Sequence, residues 1–167
     1  MRMTTARVFA GAVAAIAGAD NTTDCDGPDP AVGIPARTRL IEAAASEDAV
    51  VAAYTARSKH RIFQGDLDAA LADIDATLAR DSGPSYAQLY QNRGLARLFQ
   101  ERFADAVADL NRAIELEPEN PLSFLHRAAA RAAQGETDGA VADLRRVLEL
   151  DPGNAEAADG VRQLGAE

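Results

Sequence analysis

From residue 50 onward, apolar and small side chains recur at three- and four-residue intervals, interrupted at regular distances by short polar breaks. That period is the mark of amphipathic helices. It predicts first helices over 50–63, 87–100 and 121–134, and second helices over 67–80, 103–116 and 137–150. The breaks carry turn chemistry: Gln64-Gly65-Asp66, Gln100-Glu101-Arg102 and Gln134-Gly135-Glu136 inside the pairs, Ser82-Gly83-Pro84, Pro118 and Pro152 between them. Asn120 ahead of Pro121 puts a capping side chain before proline at the first helical position. Asn154 caps a last short helix, 155–164, on which Ala158, Val161 and Leu164 share a face. Upstream, Pro35 opens a short helix over 36–46 with Leu40 and Ile41 as its apolar contacts. Ser46-Glu47-Asp48 then begins the next helix with a cap and an acidic first turn.

These blocks are copies of one another. FADAVADLNRAIELEPEN (103–120) returns 34 residues later as TDGAVADLRRVLELDPGN (137–154), and LDAALADIDATLARDSGP (67–84) is a fainter copy 36 residues earlier. Repetition at this period means stacked units, none of which buries its apolar face alone. The predicted fold is all-α: an α–α superhelix, or solenoid, of three helix–turn–helix units with a closing C-terminal helix. The units span 51–84, 87–120 and 121–154, with a two-residue slip near Ser85-Tyr86. Residues 36–50 form an N-terminal helix or degenerate half-repeat, 20–35 a linker rich in Asp, Gly and Pro, and 155–167 the closing helix and tail.

The middle unit carries Tyr90, Gly94, Ala106, Leu110, Ala113 and Pro118; the last carries Phe124, Ala128, Ala140, Leu144, Val147 and Pro152. The first carries Tyr54, Ser58, Ala70, Ile74 and Thr77, with Ser82 where proline is expected. In these residues the chain resembles the tetratricopeptide repeat family, over 51–154 and the closing helix. Small residues at Gly94 and Ala128, and at Ala106 and Ala140, suit helices that cross closely, where a larger side chain would overpack. One departure recurs. Arg61, Arg97 and Arg131 stand where the family has tyrosine, Arg57, Arg93 and Arg127 lie four residues earlier, and Asp73, Asp109 and Asp143 recur on the second helices. The simpler reading is an Arg–Asp bridge inside each pair, worth about 0–1 kcal/mol if exposed. The alternative is a basic stripe that receives an acidic partner.

Composition sharpens this picture only in part. Alanine is heavily used, tryptophan is absent and aromatics are 5% of residues, which suits close-packed helices rather than a sheet. A net charge of −9 repels a phosphate backbone, so no nucleic-acid partner is expected. Residues 1–19 read as a signal peptide: Arg2 and Arg7, the apolar run 8–19, and Ala17-Gly18-Ala19 as a cleavage pattern. The run is too short to span a bilayer, so stable membrane insertion is not expected. Export, to a bacterial periplasm, is the expected location; an uncleaved, alanine-rich start would instead leave the chain cytoplasmic. Cys25 is the sole cysteine, which excludes an internal disulfide and leaves a free thiol or an intermolecular bond. The chain also resembles small exported bacterial proteins of this repeat type. That resemblance implies a second cysteine ahead of Leu40-Ile41, where this chain has Arg37.

Catalytic chemistry is not in view. No nucleophile elbow, phosphate-cradling glycine loop or metal-spaced His/Cys cluster occurs, and His60 and His126 lie in different repeats. No enzyme activity, cofactor or metal is expected. The family resemblance implies a concave groove lined by the first helices. Its positions here are Thr55, Lys59, Ile62, Gln88, Gln91, Asn92, Leu95, Leu122, Leu125, His126 and Ala129. Some relatives clamp a terminal carboxylate in that groove, but Leu122 and His126 stand where cations would be needed. The expected function is a non-enzymatic module that takes a peptide or protein partner in a mildly apolar, amide-bearing groove. The alternatives are a self-assembling homo-oligomeric repeat protein and a cytoplasmic adaptor of co-chaperone type.

Overall fold

The computed structural model describes residues 47–79 and 86–165. The expectations for residues 1–46, Cys25 among them, and for Ser82-Gly83-Pro84 lie outside the described residues. Seven helices occur among those described. They are α1 (Glu47–Phe63), α2 (Leu67–Leu78), α3 (Ala87–Phe99), α4 (Phe103–Leu116), α5 (Pro121–Ala133), α6 (Thr137–Leu150) and α7 (Ala155–Gln163). They form three helix–turn–helix pairs and a closing helix, the architecture the repeats predict. The first of them begins at Glu47, within the start expected at Ser46-Glu47-Asp48. Both predicted asparagine caps are made: the Asn120 carboxamide oxygen accepts from the Leu122 amide, and that of Asn154 from the Ala157 amide.

The turn inside each pair needs one left-handed residue. Gly65 and Gly135 supply it with φ of 80° and 82°, followed by bonds from the Asp66 amide to the Arg61 carbonyl and the Glu136 amide to the Arg131 carbonyl. The middle pair makes the same turn with Glu101 at φ 59°, a conformation that strains a side chain with a Cβ.

Each first helix packs on its own second helix and on the next first helix, and each second helix packs on the following first helix. The core is therefore a seam rather than a ball. It passes from Val51, Ile74, Tyr86 and Leu89, through Ile62, Leu95, Leu98 and Leu110, to Phe124, Leu125, Leu144 and Val147. Small residues set the spacing within pairs: Ala70, Ala106 and Ala140 are fully buried. At Gly94 a Cβ would lie 2.7 Å from Leu110 Cγ, so α3 and α4 approach as closely as glycine permits.

The recurring charges are tied together in every pair. Asp73 binds Arg57 at 2.5 Å and Arg61 at 2.6 Å; Asp109 binds Arg93 and Arg97, each at 2.7 Å; Asp143 binds Arg127 at 2.6 Å and Arg131 at 2.8 Å. The bridge reading therefore holds and the free basic stripe does not. Its energetics differ from the exposed case, since the three aspartates are 7%, 4% and 4% exposed. The first arginine of each pair also lies over the aromatic ring three residues before it, Tyr54, Tyr90 or Phe124, at 5.0–5.4 Å from the centroid. Hydrogen bonding to Asp73 raises the Arg57 pKa further above its ordinary value, against the opposing effect of burial.

The same arginines reach backward between repeats. Arg93 donates to Asp75 of α2, and Arg127 to Asn111 of α4. The next residue in this register on a second helix is Arg145, which is exposed, and the next arginine position is Val161 on α7. The ladder stops there.

Two stability measurements follow. Glu101→Gly should raise the urea midpoint, by roughly 0.5–1 kcal/mol in unfolding free energy, because it relieves the left-handed strain. Asp109→Ala leaves two half-buried guanidinium groups without their shared carboxylate and should cost about 2–3 kcal/mol. Asp75→Ala, at a far more exposed carboxylate, should cost less than about 1 kcal/mol in the same assay.

Candidate functional site

The first helices lie side by side, so α1, α3 and α5 present one common face. Of the residues expected to line it, Gln88 is exposed and Thr55, Lys59 and Leu122 are half-buried. Ile62, Leu95 and Ala129 lie together in the central apolar cluster, and Leu125 in the C-terminal one. Gln91, Asn92 and His126 are buried as well, at 8%, 7% and 3% exposure. The accessible part of the face is therefore narrower than the register alone suggested.

The buried amides join repeats. Asn92 Nδ2 donates to the Thr55 carbonyl and to Ser58 Oγ, both at 3.2 Å, and so bonds α3 to α1. Gln91 Oε1 accepts from Asn120 Nδ2 at 3.3 Å, which links α3 to the cap of α5. The Thr55 hydroxyl is occupied within its own helix, donating to the Val51 carbonyl at 2.8 Å.

His126 differs from these. Its Nδ1 is buried with no hydrogen-bond partner, as is the Ser123 hydroxyl oxygen one turn earlier. Burial pushes the imidazole pKa from 6.5 down to about 4, and the Lys59 ammonium acts in the same direction. Lys59 and His126, on helices that are not adjacent in sequence, are thus electrostatic neighbours on this face. The ring stays neutral at pH 7 and supplies no positive charge. Every arginine of α1, α3 and α5 is engaged with a carboxylate. Lys59 has no ion pair among the described residues and is the free cation of this face.

Residues not singled out from the sequence complete it. Ala52 and Ala56 are exposed on α1. The 34-residue register also carries the face onto α7, where Glu156, Asp159 and Gln163 occupy the positions of Leu122, Leu125 and Ala129. Asp159 pairs with Arg162 on its own helix. The signal was present in the repeat register, and reading α7 only as a cap concealed it. In space the face runs from Lys59 on α1 across the amide and apolar groups of α3 and α5, while α7 packs on α6. Among the described residues no group of three or more His, Cys, Asp or Glu side chains could hold a metal ion, and no helix is long and apolar enough to cross a membrane.

The titration of His126 has a defined sign. Its folded pKa lies below the ordinary value, so the unfolded chain binds the proton more readily. The stability associated with the neutral ring is complete above pH 6.5 and is lost as pH falls from 6.5 toward 4, up to about 3 kcal/mol. Urea unfolding at successive pH values should show that loss in the parent, and His126→Gln should lack this part of the slope.

Comparison with known proteins places this architecture. Residues 92–155 match the tetratricopeptide repeat family. No curated protein matches the sequence. Among solved structures, the first TPR domain of human RPAP3 is 30% identical, with 69% of this chain and 89% of that one covered and a TM-score of 0.65. The first TPR of Spaghetti (RPAP3), solved with the HSP90 peptide SRMEEVD bound, is 30% identical, with 69% and 90% covered and a TM-score of 0.64. The TPR domain of Arabidopsis OM64 is 22% identical, with 72% and 98% covered and a TM-score of 0.67. Shared helix order, matched residues and identity to the RPAP3 domain lead to one conclusion: the chain belongs to the tetratricopeptide repeat family.

Proposed function

We propose that this protein is a non-enzymatic scaffold that takes a peptide or protein segment on the concave face of α1, α3 and α5. The observation that carries this reading is the face itself. It joins side chains from three consecutive repeats, with Gln88, Leu122 and Lys59 left accessible around a neutral, buried floor. The peptide-bound Spaghetti (RPAP3) domain, similar over most of its length, supports the same general mode.

The chemistry of the face narrows the partner. That domain was solved with the acidic peptide SRMEEVD. Here His126 is neutral, Asn92 is spent on Thr55 and Ser58, and the first-helix arginines are spent on aspartates. Lys59 alone is left to meet a carboxylate. The segment that fits has an apolar middle for Leu122 and the small residues, and polar backbone groups for Gln88. Binding of this kind needs no metal or cofactor.

The experiment is site-specific photocrosslinking in cells. A photoactivatable residue at Gln88 or Leu122 should capture a common partner, and the same residue at Ala108 or Ala142, exposed on the second helices, should not. Capture of equal strength from both faces, or from the second helices alone, would remove the groove from consideration.

A further inference from the structure

The turns inside the pairs are flanked in two different ways. In the first two pairs large apolar side chains stand on either side: Phe63 and Leu67 around Gly65, Phe99 and Phe103 around Glu101. All four are half-buried. Leu67, Phe99 and Phe103 pack against the central apolar cluster, and Phe63 belongs to none of the clusters. In the third pair the same positions are Ala133 and Thr137, both exposed. That pair still makes its turn, with the Glu136 amide bonded to the Arg131 carbonyl. The turn therefore has no need of the bulk. Three phenylalanines and a leucine are nonetheless kept at an edge that solvent reaches.

The two turns are neighbours and form one patch. Gln100 Nε2 donates to Asp68 Oδ1 at 2.9 Å, tying the turn of the second pair to the start of α2. Around the rings stand Asp66, Asp68, Glu101 and Asp105, all exposed. Arg102, the exposed cation of these turns, is held by Asp105 at 2.7 Å. Arg61 and Arg97 are turned inward to Asp73 and Asp109. Acidic first turns suit helix N-termini in general, and the third pair has Glu136 and Asp138 in the same place. What the third pair lacks is the apolar floor. The patch also lies at the other end of the first helices from Gln88 and Leu122, with Phe99 roughly 16 Å along α3 from Gln88.

We propose that this edge is a second docking surface, which takes a cationic amphipathic segment of another protein. The apolar side chains of that segment pack among Phe63, Leu67, Phe99 and Phe103, and its lysines or arginines meet Asp66, Asp68 and Glu101. Asp66 and Glu101 have no ion pair among the described residues, so no existing bridge has to break. An acidic segment is repelled here, as is an anionic lipid surface. The surface is separate from the concave face and does not depend on that face being occupied.

The probe is a synthetic helical peptide of leucine and lysine with one apolar face, followed by fluorescence anisotropy as the full chain is added. Physiological ionic strength screens diffuse attraction to a chain of net charge −9. Binding should saturate at a single site. Phe99→Ala with Phe103→Thr, which copies the third pair, should weaken it about tenfold or more. Phe63→Ala removes a ring that belongs to no apolar cluster and should weaken it several-fold, which keeps the result readable if the double variant disturbs the fold. Asp66→Asn with Glu101→Gln should also weaken it, whereas Glu136→Gln with Asp138→Asn at the third turn should leave it within about twofold. A parent that does not bind, or ring variants that bind as tightly as the parent, would overturn the proposal. So would equal losses from the two sets of acid substitutions, since the attraction would then be to charge alone. A parent that light scattering shows to be a dimer, with Phe63→Ala a monomer, would overturn it too, because the occupant would then be a second copy.

Discussion

A buried aspartate held between two arginines is the interaction on which the rest of the stack depends. Apolar contact alone would let neighbouring helices slide, because a seam built largely from alanine, leucine and valine offers many nearly equivalent registers. An ionised carboxylate inside that seam does not tolerate sliding: displaced by one turn, it would lose both partners and keep its desolvation cost. Asp73, Asp109 and Asp143 therefore act as register pins, one to each pair. The second reach of Arg93 and Arg127, to Asp75 and Asn111, carries the register from one repeat to the next.

The same arrangement shapes the face of the first helices. Arginines on first helices would ordinarily make a groove basic, and here each pair of them is drawn back onto one shared aspartate, with Asp75 on Arg93 and Glu136 on Arg131 offsetting part of the remaining charge. What remains in front is amide, alanine, leucine and a histidine kept neutral by burial. Within a chain of net charge −9, the first-helix arginines are thus held by carboxylates, and Lys59 is the cation of this face without an ion pair among the described residues. The pins and the charge of this face depend on the same residues. This is why the face cannot be made basic by simple substitution behind it without losing the pins.

Most of the fold was legible before any coordinate. The 34-residue echo, the turn residues at Gly65 and Gly135, and the caps at Asn120 and Asn154 each point to the same helices, and local signals of this kind agree because each is short-range. Burial of the arginine–aspartate groups was not legible. Alternation of charge along a helix reads as a solvated face, and only the close approach at Gly94 and Ala106 closes solvent away from Asp109. The face was legible as a set of positions, not as a set of accessible atoms. Leu95 and Leu125 have the right register but turn into the seam, whereas Ala52 and Ala56 drew no notice because an alanine gives no chemical signal. Glu101 was readable only as a polar turn residue, since its left-handed backbone follows from the two glycines in register with it.

The exposed Arg145 interrupts the contact that joins one repeat to the next. Asp75 and Asn111 at the equivalent positions are sockets, each filled by an arginine from the repeat that follows. Arg145 presents a like charge in that place, and the facing position on α7 has become Val161. Repeat arrays lengthen by duplication of their own units, and a duplicated unit brings its arginine with it. Added after residue 154, such a unit would set cation against cation at its first contact. A like-charge contact at an exposed site costs only a few tenths of a kcal/mol, so Arg145 disfavours such an extension without setting the number of repeats.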